Sequence, residues 1–359
     1  MTAPRRATSL TVAKRAGVSR STVSLVLNDV PGVSFNPETR SKVLRAAEEL
    51  GYVPNAAAQS LVSGQSRTIG FVVSQAEHLQ VDAFIAQVLF SLSRASQQEG
   101  YRVLLETVED VSRPDAYAHL VRGQHIDGLI VLNTRSDDAQ LPDLIQRNFP
   151  MVLMGFPSRL RLDAQTHVVE TDGRNAARRA VAHLIGLGHT NIAHITFSPR
   201  QYYATQDRLE GYRSALSEAG LRLDSRLLRY GNYSAESGYA AMQDLLSQKT
   251  LPTALFAGND TIAIGAMSAI HERKLRIPED MAVVGYDDIP TAPYTIPPLT
   301  TIRTSAVQHG QLAVQRLSQL IRGESLPEHR VTLETPLIVR ESCGARRAGF
   351  DSTSTPSRA

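Results

Sequence analysis

Residues 10–28, LTVAKRAGVSRSTVSLVLN, read as a helix, a turn and a second helix. Val12, Ala13 and Ala16 recur at helical spacing and give the first segment one apolar face. Gly17 can take the left-handed conformation that ends a helix. Ser19 is placed to cap the second helix, whose inner face is Thr22, Val23, Val26 and Leu27. The outer face holds Arg20, Ser21, Ser24 and Leu25, side chains short or flat enough to approach a groove. A third helix follows, with Asn36 as its N-cap, Pro37 as its first residue and Leu50-Gly51 at its end. Its apolar side is expected at Val43, Leu44, Ala47 and Leu50. Three short helices around one small core suit a DNA-contacting module and are too small to enclose an active site. Two helices across a Gly-containing turn are the layout of a helix-turn-helix reader. The competing reading is a three-helix module with no partner.

Charge favours the DNA reading. Residues 1–67 carry nine Lys/Arg and four Asp/Glu, a net +5, whereas the whole chain is +3, so the remainder is −2. A basic excess confined to the small module is the footprint of a phosphate-binding part.

The rest of the 359-residue chain has 42% hydrophobic residues overall and can bury a sizeable core. Strand-like runs lie at 68–73, 102–106, 128–132, 151–154, 192–196, 254–257 and 281–284. Helical stretches alternate with them at 82–99, 172–187, 207–219, 234–247 and 261–273. That order predicts an α/β architecture of parallel sheets covered by helices, in two doubly wound lobes. The lobes are placed at 67–171 plus 302–331 and at 172–301 plus 332–343. Ligands sit beyond the carboxyl ends of strands in such folds, and closure of two lobes about a hinge would trap one.

No run of 18 apolar residues occurs, so no membrane span or membrane partner is expected. The first residues, MTAPRRATSL, have no apolar signal core. Cys343 is the only cysteine, which excludes an intrachain disulfide and a cysteine metal cluster. The ten His are scattered without close ligand spacing, so no metal and no cofactor are expected. His189, in Leu187-Gly188-His189, reads as a helix cap rather than a ligand. These features together point to the cytoplasm. GxSxG, Walker-loop and HExxH patterns are missing, which argues against an enzyme.

Long motifs in a fixed order carry a resemblance. VAKRAGVSRSTVSLVLN, ETRSKVLRAAEELGYVPNAAAQSL, GNDTIAIGAMSAI, IPEDMAVVGYDDIP and PPLTTI resemble the LacI (lactose-repressor) family of transcription factors over residues 9–342. The family implies a homodimeric, ligand-controlled DNA-binding regulator, a repressor, with a periplasmic-binding-protein-like core. It implies DNA contacts from Thr11, Ser19, Arg20, Ser21, Thr22, Ser24, Leu25, Asn28 and Tyr52, and a pseudo-palindromic double-stranded operator as partner. The domains are then 8–54 for the reader, 55–66 for a hinge helix and linker, 67–343 for the core and 344–359 for a disordered tail. In the hinge, Asn55 can cap a short Ala-rich helix that is too short to form alone. The family pairs two such helices in the minor groove, with Ala57 and Ala58 allowing close approach and Leu61 as the wedge. The tail has no leucine heptads, so the expected assembly is a dimer rather than a tetramer.

The effector is expected between the lobes, at strand ends: Ser74, Arg208, Tyr233, Asn259 and Asp287, with Phe84 adding a ring face. Arg208 matches the family's effector-contacting Arg. Read singly, Arg208–Asp287 could be a structural ion pair, and Asp260 could cap the helix after it. Two departures from the family matter. Leu25 stands where many members have a guanine-reading Arg, and Gly155 stands where many sugar-binding members have Asp. The implied effector is a carbohydrate, a sugar or sugar derivative, and the alternatives are a purine or nucleoside, or a partner protein. A periplasmic-type sugar-binding protein is the remaining reading; it shares the core but would need an export signal and no DNA module.

Overall fold

The computed structural model describes residues 7–27, 33–53, 64–111, 113, 116–156 and 166–345. The chain divides into two units, Met1–Arg67 and Thr68–Ala359.

The first unit is built from α1 (Ser9–Ala16), α2 (Arg20–Leu27) and α3 (Pro37–Glu49). Local chemistry fixes each end. The Thr8 hydroxyl accepts from the Thr11 amide at 3.3 Å, and the Thr11 hydroxyl accepts from the Thr8 amide at 2.9 Å, a reciprocal cap. Gly17 ends α1 at φ 69°, where a Cβ would be strained. Ser19 Oγ accepts from the Thr22 amide at 3.0 Å, and Asn36 Oδ1 from the Glu38 amide at 2.9 Å. The core is Val12, Ala13, Val23, Val26, Val43, Ala46 and Ala47. An Arg15–Glu49 ion pair at 2.8 Å joins α1 to α3. The buried face of α3 differs from the expected one. Ala46 takes the place expected for Leu44, and Leu44 and Leu50 are 46% and 38% exposed. Positions 43, 46 and 47 share one helical face, whereas 44 lies about 100° from 43 around the axis.

The second unit holds two six-stranded sheets. Its first strands are β1 (Thr68–Ser74), β2 (Arg102–Val108), β3 (Gly128–Leu132), β4 (Met151–Met154) and β5 (His167–Thr171). Then come β6 (Ile192–Thr196), β7 (Leu228–Tyr230), β8 (Ala254–Ala257) and β9 (Ala282–Asp287). The last are β10 (Thr300–Arg303), β11 (Arg330–Leu333) and β12 (Leu337–Ile338). The helices of the first half are α4 (Glu77–Val81), α5 (Ala83–Gln98), α6 (Ala118–Arg122) and α7 (Leu141–Gln146). Those of the second are α8 (Gly173–Gly186), α9 (Tyr203–Glu218), α10 (Ala235–Leu246) and α11 (Asp260–Glu272), and α12 (Ala306–Ile321) follows.

One sheet runs β11-β5-β4-β3-β1-β2, all parallel. The other runs β12-β10-β9-β8-β6-β7, parallel except for the β10–β12 pair. Covered on both faces, central strands such as β3 and β6 are buried along their whole length. Phe71, Ile85, Leu92 and Ile130 fill the first lobe, and Ala177, Tyr212, Phe256 and Val284 the second. The chain crosses between lobes three times. The first crossing falls after Thr171, as expected. The other two fall two residues later than expected, because Arg303 still pairs with Asp287 in the second sheet and Leu333 with Thr171 in the first.

Candidate functional site

In the first unit, Arg20 and Ser21 are exposed at the start of α2, while Thr22, Ser24 and Leu25 are half-buried. The Arg20 guanidinium is steadied by Ser9, Nε donating to its hydroxyl at 2.9 Å. The Ser19 and Thr22 hydroxyls lie 2.9 Å apart within the cap, and that of Thr11 is held in the α1 cap. Tyr52 is half-buried against the small core. Arg20 and Ser21 are thus the expected readers most free to leave the surface. Asn28, Asn55, Ala57, Ala58 and Leu61 lie outside the described residues.

In the second unit, strand ends of both sheets meet around Arg208. This residue lies in α9, which starts at Tyr203, one turn before the expected 207, so Arg208 is a helical residue rather than a strand end. Its guanidinium carbon sits 3.6 Å from the centre of the Tyr286 ring and 4.2 Å from that of Phe197. One of its nitrogens donates to the Gly258 carbonyl. Another is 3.8 Å from Asp287 Oδ1. Asp287 ends β9 at φ 116° and accepts from the Thr304 hydroxyl at 3.1 Å. Burial raises its carboxyl well above the usual range, Arg208 opposes that, and Asp82 and Asp260 add to it.

The pocket beside Arg208 is lined by Phe84, Asn133, Gly155, Phe156, Glu170, Thr171, Asp207, Tyr286, Thr304 and His309, among others. Asn133 and Gly155 follow β3 and β4, and Glu170 and Thr171 end β5. Glu170 is buried, paired with Arg330 at 2.6 Å, and raised chiefly by burial. Burial lowers the His309 imidazole to about 4, so it is neutral at neutral pH. The wall therefore offers a guanidinium donor, carboxylate and amide groups and several ring faces within one cleft.

Behind the pocket runs the seam between the lobes. Asp82 caps α5, accepting from the Phe84 amide at 2.8 Å, and its other oxygen accepts from Asn259 Nδ2 at 3.3 Å across the seam. Burial raises Asp82 to about 6. Asn259 also caps α11, its Oδ1 accepting from the Ile262 amide at 2.8 Å. Asp260 is not that cap. It is buried, accepts from the Ile289 amide at 2.9 Å and the Thr301 hydroxyl at 2.6 Å, and is raised by burial to about 7. Tyr233 is fully buried and stacks on His78 of the other lobe with ring centres 3.7 Å apart. Ser74 is buried at the end of β1.

Of the six expected effector residues, Arg208 and Phe84 line the pocket, and Asp287 stands behind Arg208 as its counter-charge. Ser74, Tyr233 and Asn259 lie on or beside the seam, not among the residues given for the pocket wall. Sequence reading missed Asn133, Glu170, Asp207, Thr304 and His309. The strand-end rule applied to β3 would have found Asn133. Strands β5 and β10 went unread, and with them Glu170 and Thr304. His189 follows the end of α8, where its amide donates to the Leu184 carbonyl at 3.2 Å, and its ring lies 3.1 Å from the Thr253 hydroxyl.

A small three-helix unit with a capped reading helix, joined to a two-lobed parallel-sheet core with a polar cleft, defines a ligand-linked DNA-binding regulator. Comparison with known proteins agrees. The family model "Bacterial regulatory proteins, lacI family" matches residues 10–55, and "Periplasmic binding protein-like domain" matches residues 181–343. The HTH-type transcriptional regulator CelR of Thermobifida fusca is 37% identical, over 94% of this chain and 98% of that protein. The solved structure of a CelR–cellobiose complex is 36% identical, with TM-score 0.71, over 94% of this chain and 100% of that one. The Lac repressor dimer bound to operator and the anti-inducer ONPF is 32% identical, with TM-score 0.83, over 95% of this chain and 100% of that one. The chain belongs to the lacI family of bacterial regulatory proteins. It is a DNA-binding transcriptional regulator, not an enzyme. No helix of the described residues is long and apolar enough to cross a membrane.

Proposed function

We propose that this chain is a dimeric, cytoplasmic repressor whose hold on a pseudo-palindromic operator is set by a sugar or sugar derivative bound between the lobes of the core. The observation that carries the sugar reading is the Arg208 guanidinium, held between the Phe197 and Tyr286 rings at the cleft with carboxylates beside it. A fixed fork of donors, nearby acceptors and flat apolar faces suit hydroxyls and ring C–H groups together. The cellobiose in the CelR structure and the dimer in the Lac repressor structure support the same reading.

Arg208, Phe84, Asn133 and Glu170 take the role of direct contacts, and Asp287 that of the charge that holds Arg208. Ser74, Tyr233 and Asn259 act through the seam. Arg20 and Ser21 read bases, Leu25 adds an apolar group to the same face, and the polar residues Thr11, Ser19, Thr22, Ser24, Asn28 and Tyr52 position the helix on phosphate. Asn55, Ala57, Ala58 and Leu61 form the hinge within a domain plan of 8–54, 55–66, 67–343 and 344–359. Tyr294 and Ile296, 84% and 83% exposed, are apolar groups suited to burial against a second copy. A ligand shifts operator affinity only as far as it prefers one lobe arrangement over another.

The test is calorimetry of the full-length protein against a sugar, sugar-phosphate and nucleoside panel, then operator titration with each hit. A sugar that binds and changes operator affinity is the expected result. A nucleoside that does so in place of every sugar refutes the reading.

A further inference from the structure

The two lobes of the core meet through groups that only their closure brings together. The Ser136 amide of the first lobe donates to the Gln201 carbonyl of the second at 2.9 Å, and the Tyr203 amide of the second to the Thr134 carbonyl of the first at 3.2 Å. Asp82, at the start of α5, is a carboxylate that the first lobe sends into this seam, where it is 5% exposed. Its contact with Asn259 at 3.3 Å reaches into the second lobe. Asp287 of that lobe, also 5% exposed, repels it. One guanidinium, that of Arg208, attracts both: it lies 3.8 Å from Asp287 Oδ1, and its charge favours the ionised form of Asp82 as well. Among the described residues, the other titratable groups beside them add no positive charge. Asp260 is a further buried carboxylate of the second lobe, and Tyr233 keeps its hydroxyl proton because burial raises it. Burial lowers His78 and His309 of the first lobe to about 4, so both imidazoles are neutral at neutral pH. Arg303 and Arg340 are taken up by Asp288, at 2.7 and 2.6 Å.

We infer that closing the lobes takes up a proton at Asp82, so that the seam is an acid-favoured latch and the balance between lobe arrangements moves with pH. The latch is independent of which ligand fills the cleft. A buried charge is tolerated when it is paired, and otherwise the group neutralises. One guanidinium pairs with one carboxylate. When Asp82 comes up against Asp287, the second negative charge has no counter-ion, and a proton from solvent neutralises it. Arg208, Asp287 and Asp260 share one lobe in every arrangement, so Asp82 is the acid whose surroundings change when the lobes part. Its value is about 6 in the seam against an ordinary 3.8. The stabilisation of the closed seam is therefore full below 3.8 and is lost as pH rises through about 6, and the proton returns to solvent on opening. Two values that far apart make the closed-to-open ratio about 10-fold higher at pH 5 than at pH 7.5. By linkage, a ligand that closes the lobes draws in protons as it binds.

The amides of Ser136 and Tyr203 report the latch directly, because each is bonded across the seam. Their deuterium exchange is followed by fragment-resolved mass spectrometry in the full-length, ligand-free protein at pH 5, 6, 7 and 7.5, with the intrinsic exchange rate at each pH divided out. The same profile is taken for Asp82→Asn and Asp82→Ser. Asn and Ser cap a helix as Asp does, so the start of α5 is kept. In the parent, protection of both amides should rise about 10-fold from pH 7.5 to pH 5, and both variants should be flat over that range. A flat profile in the parent overturns the inference. A variant that keeps the parent's slope overturns it too, because the proton then goes to another group, Asp260 or Asp287.

Discussion

Replacing Arg208 with Ala tests the centre of the cleft most directly. The guanidinium faces a buried carboxylate, Asp287, at 3.8 Å, and lowers the pKa of both Asp287 and Asp82. With an effective dielectric of about 20, a pair at that separation attracts by about 4 kcal/mol. Loss of the two ring contacts adds about 1 kcal/mol, and the cation's own desolvation cost offsets part of the sum. Breaking a buried pair while one charge stays behind costs about 3–5 kcal/mol, which is an upper bound here because Asp287, already raised by burial, can take up a proton once Arg208 is gone. Urea unfolding of full-length Arg208→Ala at pH 7 should show a loss of up to that size in the core transition.

The loss should depend on pH, with a definite sign. Asp82 has a folded pKa of about 6 against an ordinary 3.8, so the fold favours its protonated form. The stability it contributes is fully present below the ordinary value and is lost as pH rises through about 6. Removing Arg208 raises both carboxyls further, so the deficit of the variant should be largest at pH 7 and shrink towards pH 5. The double variant Arg208→Ala/Asp287→Asn removes the stranded charge and should recover at least about 2 kcal/mol at pH 7, a coupling of the size buried pairs show. If Arg208→Ala unfolds within about 0.5 kcal/mol of the parent at pH 7, the scale of an ordinary surface change, the pair does not hold the cleft and the reasoning fails.

Other expectations are narrower. Arg20→Ala should lose about 1–3 kcal/mol of discrimination between operator and scrambled DNA in fluorescence anisotropy, because it heads the reading helix; equal weakening on both DNAs would make it a phosphate contact. Leu61→Ala should weaken operator binding by a few kcal/mol and reduce DNA bending in a gel assay while effector affinity stays at the parent value; unchanged bending would remove Leu61 from the hinge role. Gly155→Ala places a Cβ at φ 78° and should cost about 1–2 kcal/mol in urea unfolding; no cost would mean the loop relaxes out of that conformation.

The legible parts of this chain are those whose information is local. Ser19, Asn36 and Gly17 state helix ends within a few residues, and all three behave as the sequence predicts. Strands β3, β4, β6 and β8 were read to the residue, since a parallel strand covered on both faces is a short apolar run between turns. Strands β5 and β10 carry His, Glu, Thr and Arg, so no such run marks them, and they become strands through pairing with distant neighbours. That is why Glu170, Thr171 and Thr304 were missed although they stand at strand ends like the residues that were found.

The seam shows a different limit. The sequence places Asn259 at the end of β8, but not the demands on its amide, one end of which caps α11 while the other reaches Asp82 across the lobes. Tyr233 likewise gives its ring to His78. Both needs arise only when two lobes meet, and they explain why a polar strand-end residue can serve closure rather than contact. Gly155 makes the complementary point. Its lost carboxylate was legible as a departure from the family, but the group beside the gap was not. A Cβ built at Gly155 would lie 3.5 Å from Asn133 Oδ1, so the amide of Asn133 occupies the neighbourhood where a carboxylate would act. An amide both donates and accepts where a carboxylate only accepts. The expected consequence is a change in which hydroxyl configuration is preferred, and comparing sugar epimers by calorimetry in the parent and in Asn133→Asp measures it. An identical epimer ranking in the two proteins would show that Asn133 does not read the ligand.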